Sequence, residues 1–134
     1  MTHVLIVDDS ASDRQVLKIL LERNDYHVTT ASNGEEALAA ARHDRPDVVI
    51  SDVMMRNMDG FVFCQTWMQD EKLRPIPFIF YTGHLTGQRD EHVGMALGAA
   101  RYLIKPLETN ALLLELAAVL QTRSEQLHPH LFQK

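Results

Sequence analysis

The chain has 134 residues, 46% of them apolar and 23% charged, with a net charge of −5. That is the length of one ordinary domain, and the composition excludes a disordered chain. The acidic balance argues against direct nucleic-acid binding, which needs clustered Lys and Arg to meet phosphates.

The lone cysteine, Cys64, excludes an internal disulfide and points to a reducing compartment, so a cytoplasmic location is expected. The opening stretch "MTHVLIVDDS" has no basic region and does not read as a signal peptide. No apolar run approaches the roughly 20 residues that cross a bilayer, so no membrane association is expected.

In chain order, short apolar runs alternate with helical patterns. "HVLIV" (3–7) reads as a strand, and 13–24 as a helix with Val16, Leu17, Leu20 and Leu21 at helical spacing. Residues 27–31 form a second strand, 34–43 a short helix, and 47–51 a third strand. A helix follows at 60–71, then a strand at 77–82, and a weaker helix at 89–98 because Gly94 lies inside it. A fifth strand covers 101–105, and a last helix 108–123. Strands this apolar, separated by helices, predict an α/β fold with a parallel sheet covered on both faces. Right-handed crossovers leave a doubly wound, flavodoxin-like sandwich with strand order 2-1-3-4-5. The domain is expected over 1–123. Residues 124–134 read as a tail or linker, with Pro129 unable to continue a helix, and lead to an output domain if the parent protein is longer.

The polar residues gather at one edge. Asp8 and Asp9 follow the first strand, and Asp52 follows the third. In the order 2-1-3-4-5 these strands are neighbours at the switch point, where ligands bind beyond the strand ends. Carboxylates about 4 Å apart repel by several kcal/mol at an effective dielectric near 20. Either some stay protonated or a cation sits among them, and a half-open set of oxygens suits Mg²⁺. Thr82 ends the fourth strand and Lys105 the fifth. Lysine supplies a point positive charge for a phosphoryl oxygen, and a Lys-Pro bond in its cis form would aim it inward. Taken singly, an Asp-Asp pair before a helix is more often a cap, and a Thr at a strand end is an ordinary strand former. Their joint placement matches the parts used in phosphoryl transfer.

The stretches "VLIVDD", "PDVVISDVMMRNMDGF", "FIFYTG" and "GAARYLIKPL" together resemble the receiver domain of two-component response regulators, over about residues 3–121. The resemblance implies that Asp52 is the phospho-acceptor. It implies that Asp8, Asp9, Asp52 and the backbone carbonyl of Met54 bind Mg²⁺. Thr82 then corresponds to the family's switch hydroxyl, Lys105 to its lysine, and Tyr102 to its switch aromatic. The implied partner is a histidine kinase or a phosphotransfer protein, whose phosphohistidine gives its phosphoryl group to Asp52. Movement of Thr82 would let Tyr102 swing in from the surface, a two-state switch biased by new charge. A receiver is a signalling domain rather than an enzyme with a separate substrate, although it promotes its own phosphorylation and dephosphorylation.

The chain departs from the family pattern in places. Arg56 stands where proline is usual, and Gly83 where alanine is commoner. The stretch from Thr82 to Lys105 is about one residue longer than usual. Met54 and His84 occupy the positions two beyond Asp52 and Thr82, which in this family tune hydrolysis. His84 is a second base on one reading and a solvated loop residue on the more economical one. The last helix is apolar nearly all round, so a homodimer through the fourth-helix, fifth-strand and fifth-helix face is expected. Cys64 is expected in the core, and His128 and His130 are expected to be solvated rather than metal-binding.

Other functions fit less well. A flavin carrier needs a phosphate-cradling loop after the first strand, and "DDSASD" repels phosphate. A phosphatase with an Asp-x-Asp motif would need an acid where Ser10 stands. A degenerate receiver, binding a partner without phosphorylation, is the remaining alternative and rests on Arg56 and the longer loop.

Overall fold

A computed structural model describes residues 1–131. Five strands, β1 (His3–Val7), β2 (His27–Ala31), β3 (Val48–Ser51), β4 (Phe78–Thr82) and β5 (Arg101–Ile104), form one sheet in the order β2-β1-β3-β4-β5. Every pairing is parallel, as expected. The helices are α1 (Ala11–Glu22), α2 (Gly34–His43), α3 (Gly60–Gln69), α4 (Gln88–Ala96) and α5 (Thr109–Leu127).

Helix starts follow local chemistry. Ser10, Asn33 and Asp59 each accept a hydrogen bond from the backbone N–H three residues on, at Asp13, Glu36 and Val62. The Glu36 carboxylate in turn accepts from the Ser32 N–H and hydroxyl. Glu108 does the same work for α5, accepting from Asn110 and Ala111. The end of α5 differs from the sequence expectation. It runs on to Leu127 instead of stopping at residue 123, with Gln121 bonded to Glu125 one turn later. Arg123 holds this stretch to the sheet by donating to the Asp47 carbonyl at 2.6 Å. Pro129, which lacks an N–H, opens a 3-10 turn over Pro129–Leu131. Residues 132–134 of the expected linker lie outside the described residues.

Strand alternation divides the core into two layers. Val4 and Ile6 face α1 and α5, packing with Leu17, Leu21, Leu112, Leu116 and Val119. Leu5 and Val7 face the opposite layer with Ala37, Phe63, Cys64, Trp67, Phe78 and Phe80. Full burial of each such aliphatic side chain contributes about 1.5–3 kcal/mol. Cys64 lies in this core, as expected. On this face the rings form a chain. Phe63 meets both Trp67 and Phe78, Phe78 meets Phe80, and Phe80 meets Tyr102, with centroids 4.9–5.7 Å apart. Trp67 is pinned by its Nε1–H donating to the Ile76 carbonyl at 3.2 Å. The buried residues of the other layer are all aliphatic, with Tyr26 and Tyr81 packed at its margin. On α5, Leu112, Leu116 and Val119 turn inward, whereas Leu114 is 72% exposed. Among the described residues no helix is long and apolar enough to cross a membrane.

Candidate functional site

Strand register builds the site. Val7 pairs with Ser51 across β1 and β3, so the next residues, Asp8 and Asp52, emerge side by side. Their backbones stay tied to the sheet: the Asp8 N–H donates to Ala31 and the Asp52 N–H to Val7. Both acids are buried, each 6% exposed. A buried carboxylate needs partners, and Asp52 has them. Its Oδ1 accepts from the Val53 N–H at 2.6 Å and the Met54 N–H at 3.3 Å. Its Oδ2 accepts from Lys105 Nζ at 3.1 Å. The turn after Asp52 is closed by Gly60, whose N–H donates to Val53 at 2.7 Å. A Cβ at Gly60 would stand 2.2 Å from the Asp52 carbonyl oxygen, so only glycine admits this approach.

Lys105 reaches this edge from the end of β5, ahead of a cis bond to Pro106. Its ammonium also donates to Asp8 Oδ2 at 2.7 Å and to Asp13 Oδ2 at 3.0 Å. Burial alone would lower the lysine's pKa. The bonds to Asp8 and Asp13 and the charges around it outweigh burial and hold it above the ordinary value. Asp8 is pushed up as well, which for an acid favours the neutral form. Burial raises its pKa, and Lys105 and the Ser10 N–H only partly restore the carboxylate.

Three carboxylates against one ammonium leave two negative charges when all are ionised. The carboxylate oxygens of Asp8, Asp13 and Asp52 converge on one ammonium, and an oxygen donor set of this kind fits a hard divalent ion. Asp9 stands a little apart. Its Oδ2 accepts from the Arg56 N–H at 3.1 Å, and the Arg56 guanidinium lies at 3.5 Å. The side chain of Met54 points to solvent, while its N–H serves Asp52.

The residues expected at the strand ends thus meet in part. Asp8, Asp52 and Lys105 are in contact. Thr82 is fully buried, but its hydroxyl is turned into its own loop, donating to the His84 carbonyl at 2.8 Å and accepting from the His84 N–H. The His84 side chain is exposed. At Gly83 a Cβ would make only ordinary contact with Lys105, so nothing steric demands glycine there. Tyr102 differs from the picture of a surface ring moving in. It is already inward, 8% exposed against Phe80, and its hydroxyl donates to the Leu85 carbonyl. Leu85 itself holds φ 54°, an unusual backbone for leucine.

Sequence reasoning missed Asp13. An acid in the first turn of a helix reads as a dipole partner, yet a helix that begins just after Asp8 and Asp9 delivers its first turn to the same edge. Beside Lys105 a mostly apolar cleft of about 400 Å³ runs between Val16, Leu20, Tyr81, Pro106 and Leu112.

Residues 4–117 match the family model of the response regulator receiver domain. The chain is 42% identical over 118 residues to the probable transcriptional regulator ycf27 of Guillardia theta, covering 88% of this chain and 45% of that protein. It is 39% identical to response regulator PleD of Caulobacter vibrioides over 79% of this chain and 23% of PleD, so it spans less than half of either relative. Protein PilH of Pseudomonas aeruginosa is 36% identical, with 90% of this chain and 98% of PilH covered. Among solved structures, the chemotaxis protein CheY4 of Vibrio cholerae superposes with a TM-score of 0.84 at 39% identity, over 89% of this chain and 98% of CheY4. Sheet order, helix placement and these relatives converge: the chain belongs to the response regulator receiver domains of two-component signalling.

Proposed function

We propose that Asp52 accepts a phosphoryl group from a phosphohistidine on a histidine kinase or phosphotransfer protein. The observation that carries this reading is the shared contact of Asp52 and Asp8 with Lys105 at the sheet's switch point. Two backbone N–H groups and the ammonium hold the Asp52 carboxylate in one orientation, which favours in-line attack. As the Asp52 oxygen–phosphorus bond forms, the donor's phosphorus–nitrogen bond breaks and the imidazole nitrogen keeps the electron pair. Lys105 then serves an oxygen of the new acyl phosphate. Asp8, Asp9, Asp52 and the Met54 carbonyl would hold Mg²⁺, whose chemistry is to offset the charge of both reactants.

Thr82 and Tyr102 are the proposed switch. A Thr82 hydroxyl drawn to the phosphoryl group must give up the His84 carbonyl. Leu85, one residue on, carries the carbonyl that receives Tyr102. Loop and ring therefore respond to one event. The apolar cleft beside Lys105, flanked by the exposed Val16 and Ile19 of α1, suits the docking of a donor helix. Exposed Val93, Met95, Ile104 and Leu114 on α4, β5 and α5 support association with a second copy. Residues 124–134 would connect to an output domain in a longer parent.

The test is chemical. The protein is incubated with Mg²⁺ and a small acyl phosphate, and intact mass is read at once beside Asp52→Asn and a chelated control. A phosphoryl adduct on the native chain alone, and only with Mg²⁺, is the expected result. No adduct under any condition would refute acceptor chemistry and favour a receiver that binds its partner without phosphorylation.

A further inference from the structure

The sheet has a second pole, where the strands begin. Parallel pairing sets His3 opposite His27 at the starts of β1 and β2, and their rings lie 4.6 Å apart at an interplanar angle of 33°. Asp44, the residue that caps α2, comes to the same place. One ligand atom from each of His3, His27 and Asp44 lies within 4.8 Å of the others.

These three are not equivalent. His3 is buried and fixed. Its backbone N–H donates to Asp47 at 2.7 Å, and Nε2 lies 2.7 Å from the Thr29 hydroxyl. Nδ1 has only a 3.4 Å contact with the Arg45 carbonyl, long for a hydrogen bond. With Nε2–H donating to Thr29, Nδ1 presents a free lone pair. A ring nitrogen held by an outer hydrogen bond while the other faces the ion is the usual arrangement of a metal-binding histidine. His27 and Asp44 are exposed and free to adjust.

We propose that His3, His27 and Asp44 form a site for Zn²⁺ or a similar borderline divalent transition ion. Two imidazoles and a carboxylate match this class, and they are a poor set for Mg²⁺. Tetrahedral Zn²⁺ with bonds of about 2.1 Å needs donors about 3.4 Å apart. Rotamer changes at His27 and Asp44 supply the contraction, and the fourth position is left to water. The ion clamps the starts of β1 and β2 to the end of α2. The site lies the length of a five-residue strand from the acidic edge, about 17 Å, so it does not depend on the phosphoryl chemistry proposed above.

The test is calorimetric titration of the intact chain with Zn²⁺ in a large excess of Mg²⁺, which keeps the oxygen ligands at the other pole competed. One saturable Zn²⁺ per chain is expected, with imidazole NMR shifts at His3 and His27. His27→Ala and Asp44→Ala, both at exposed positions, are each expected to lose this binding. Thr29→Val should weaken it by about tenfold or more through loss of the outer hydrogen bond. A double His128→Ala, His130→Ala variant should bind as before. Absence of saturable binding in the native chain, its survival in His27→Ala and Asp44→Ala, or its loss in the tail double variant would overturn the proposal.

Discussion

Gly94 sits in the last turn of α4, where alanine would stabilise the helix by at most about 1 kcal/mol. The fold opposes this gain. A Cβ there would stand 2.8 Å from Tyr102 Cδ2 and 3.1 Å from two atoms of Phe80. Phe80 cannot give way, being fully buried between Phe61 and Phe78. If both rings hold, crowding costs about 1–3 kcal/mol, and Gly94→Ala is neutral to about 2 kcal/mol destabilising. If Tyr102 leaves instead, burial worth about 1.5–3 kcal/mol and a hydrogen bond worth about 1 kcal/mol are lost. The net is then roughly 1.5–3 kcal/mol. The two ranges overlap, so the decisive reading is the ring. Burial, with the charges of Asp90, Asp52 and Glu91, pushes the Tyr102 phenol up to about 12. Expelled, it would titrate near the ordinary value of about 10. NMR of ring-labelled tyrosine through a pH series, beside urea unfolding, measures both quantities. The expected result is lower stability and a Tyr102 phenol that titrates with ordinary tyrosines. A variant more stable by about 1 kcal/mol with an unmoved Tyr102 would refute the reasoning, because α4 would then have shifted as a body.

Arg56→Ala should free Asp9 and tighten Mg²⁺ binding. Arg56 is 85% exposed, and such pairs are worth at most about 1 kcal/mol, so calorimetry should find a gain of no more than about fivefold; an unchanged affinity would mean that the backbone N–H alone positions Asp9. Asp70 has its pKa lowered, first by the Lys72 N–H, which together with the Leu73 N–H and Arg42 outweighs the desolvation that raises it. Its folded state therefore holds fewer protons, and its contribution, complete above about pH 4, is lost as pH falls through the folded value. Urea midpoints of Asp70→Asn should converge on those of the native chain in acid, and a constant gap would exclude this linkage. Cys64 is fully buried with its thiol pushed up to about 12 by burial. Alkylation at neutral pH should wait on unfolding and accelerate with denaturant; rapid labelling of the native chain would place the thiol at the surface.

What could be read from the chain follows a physical divide. Strand cores such as Val4–Val7 and Val48–Ile50 announce themselves because parallel strands are apolar on both faces. Asp8, Asp52 and Lys105 were legible since each directly follows or ends such a run, and register then brings them together. Side-chain direction was not legible. Nothing in the spacing tells that Thr82 bonds its own loop, that Arg56 holds Asp9, or that Tyr102 lies inward beneath Gly94. These depend on loop backbone and on notches left by small residues. The extent of α5 was missed because its last turn is secured by Arg123 reaching Asp47, a contact 76 residues apart in sequence.

The ring chain through the sheet gives the molecule a built-in optical gauge. Trp67 is the sole tryptophan, and the rings that follow it end on Tyr102. Near-ultraviolet circular dichroism arises from aromatic rings held in fixed asymmetric surroundings and disappears when packing loosens. A reorientation of Tyr102 alters the environment of Phe80 at once and leaves the Trp67 anchor on Ile76 in place. Tyrosine and tryptophan bands of one spectrum therefore separate a local turn of Tyr102 from a loosening of the whole layer, with no label attached to the chain.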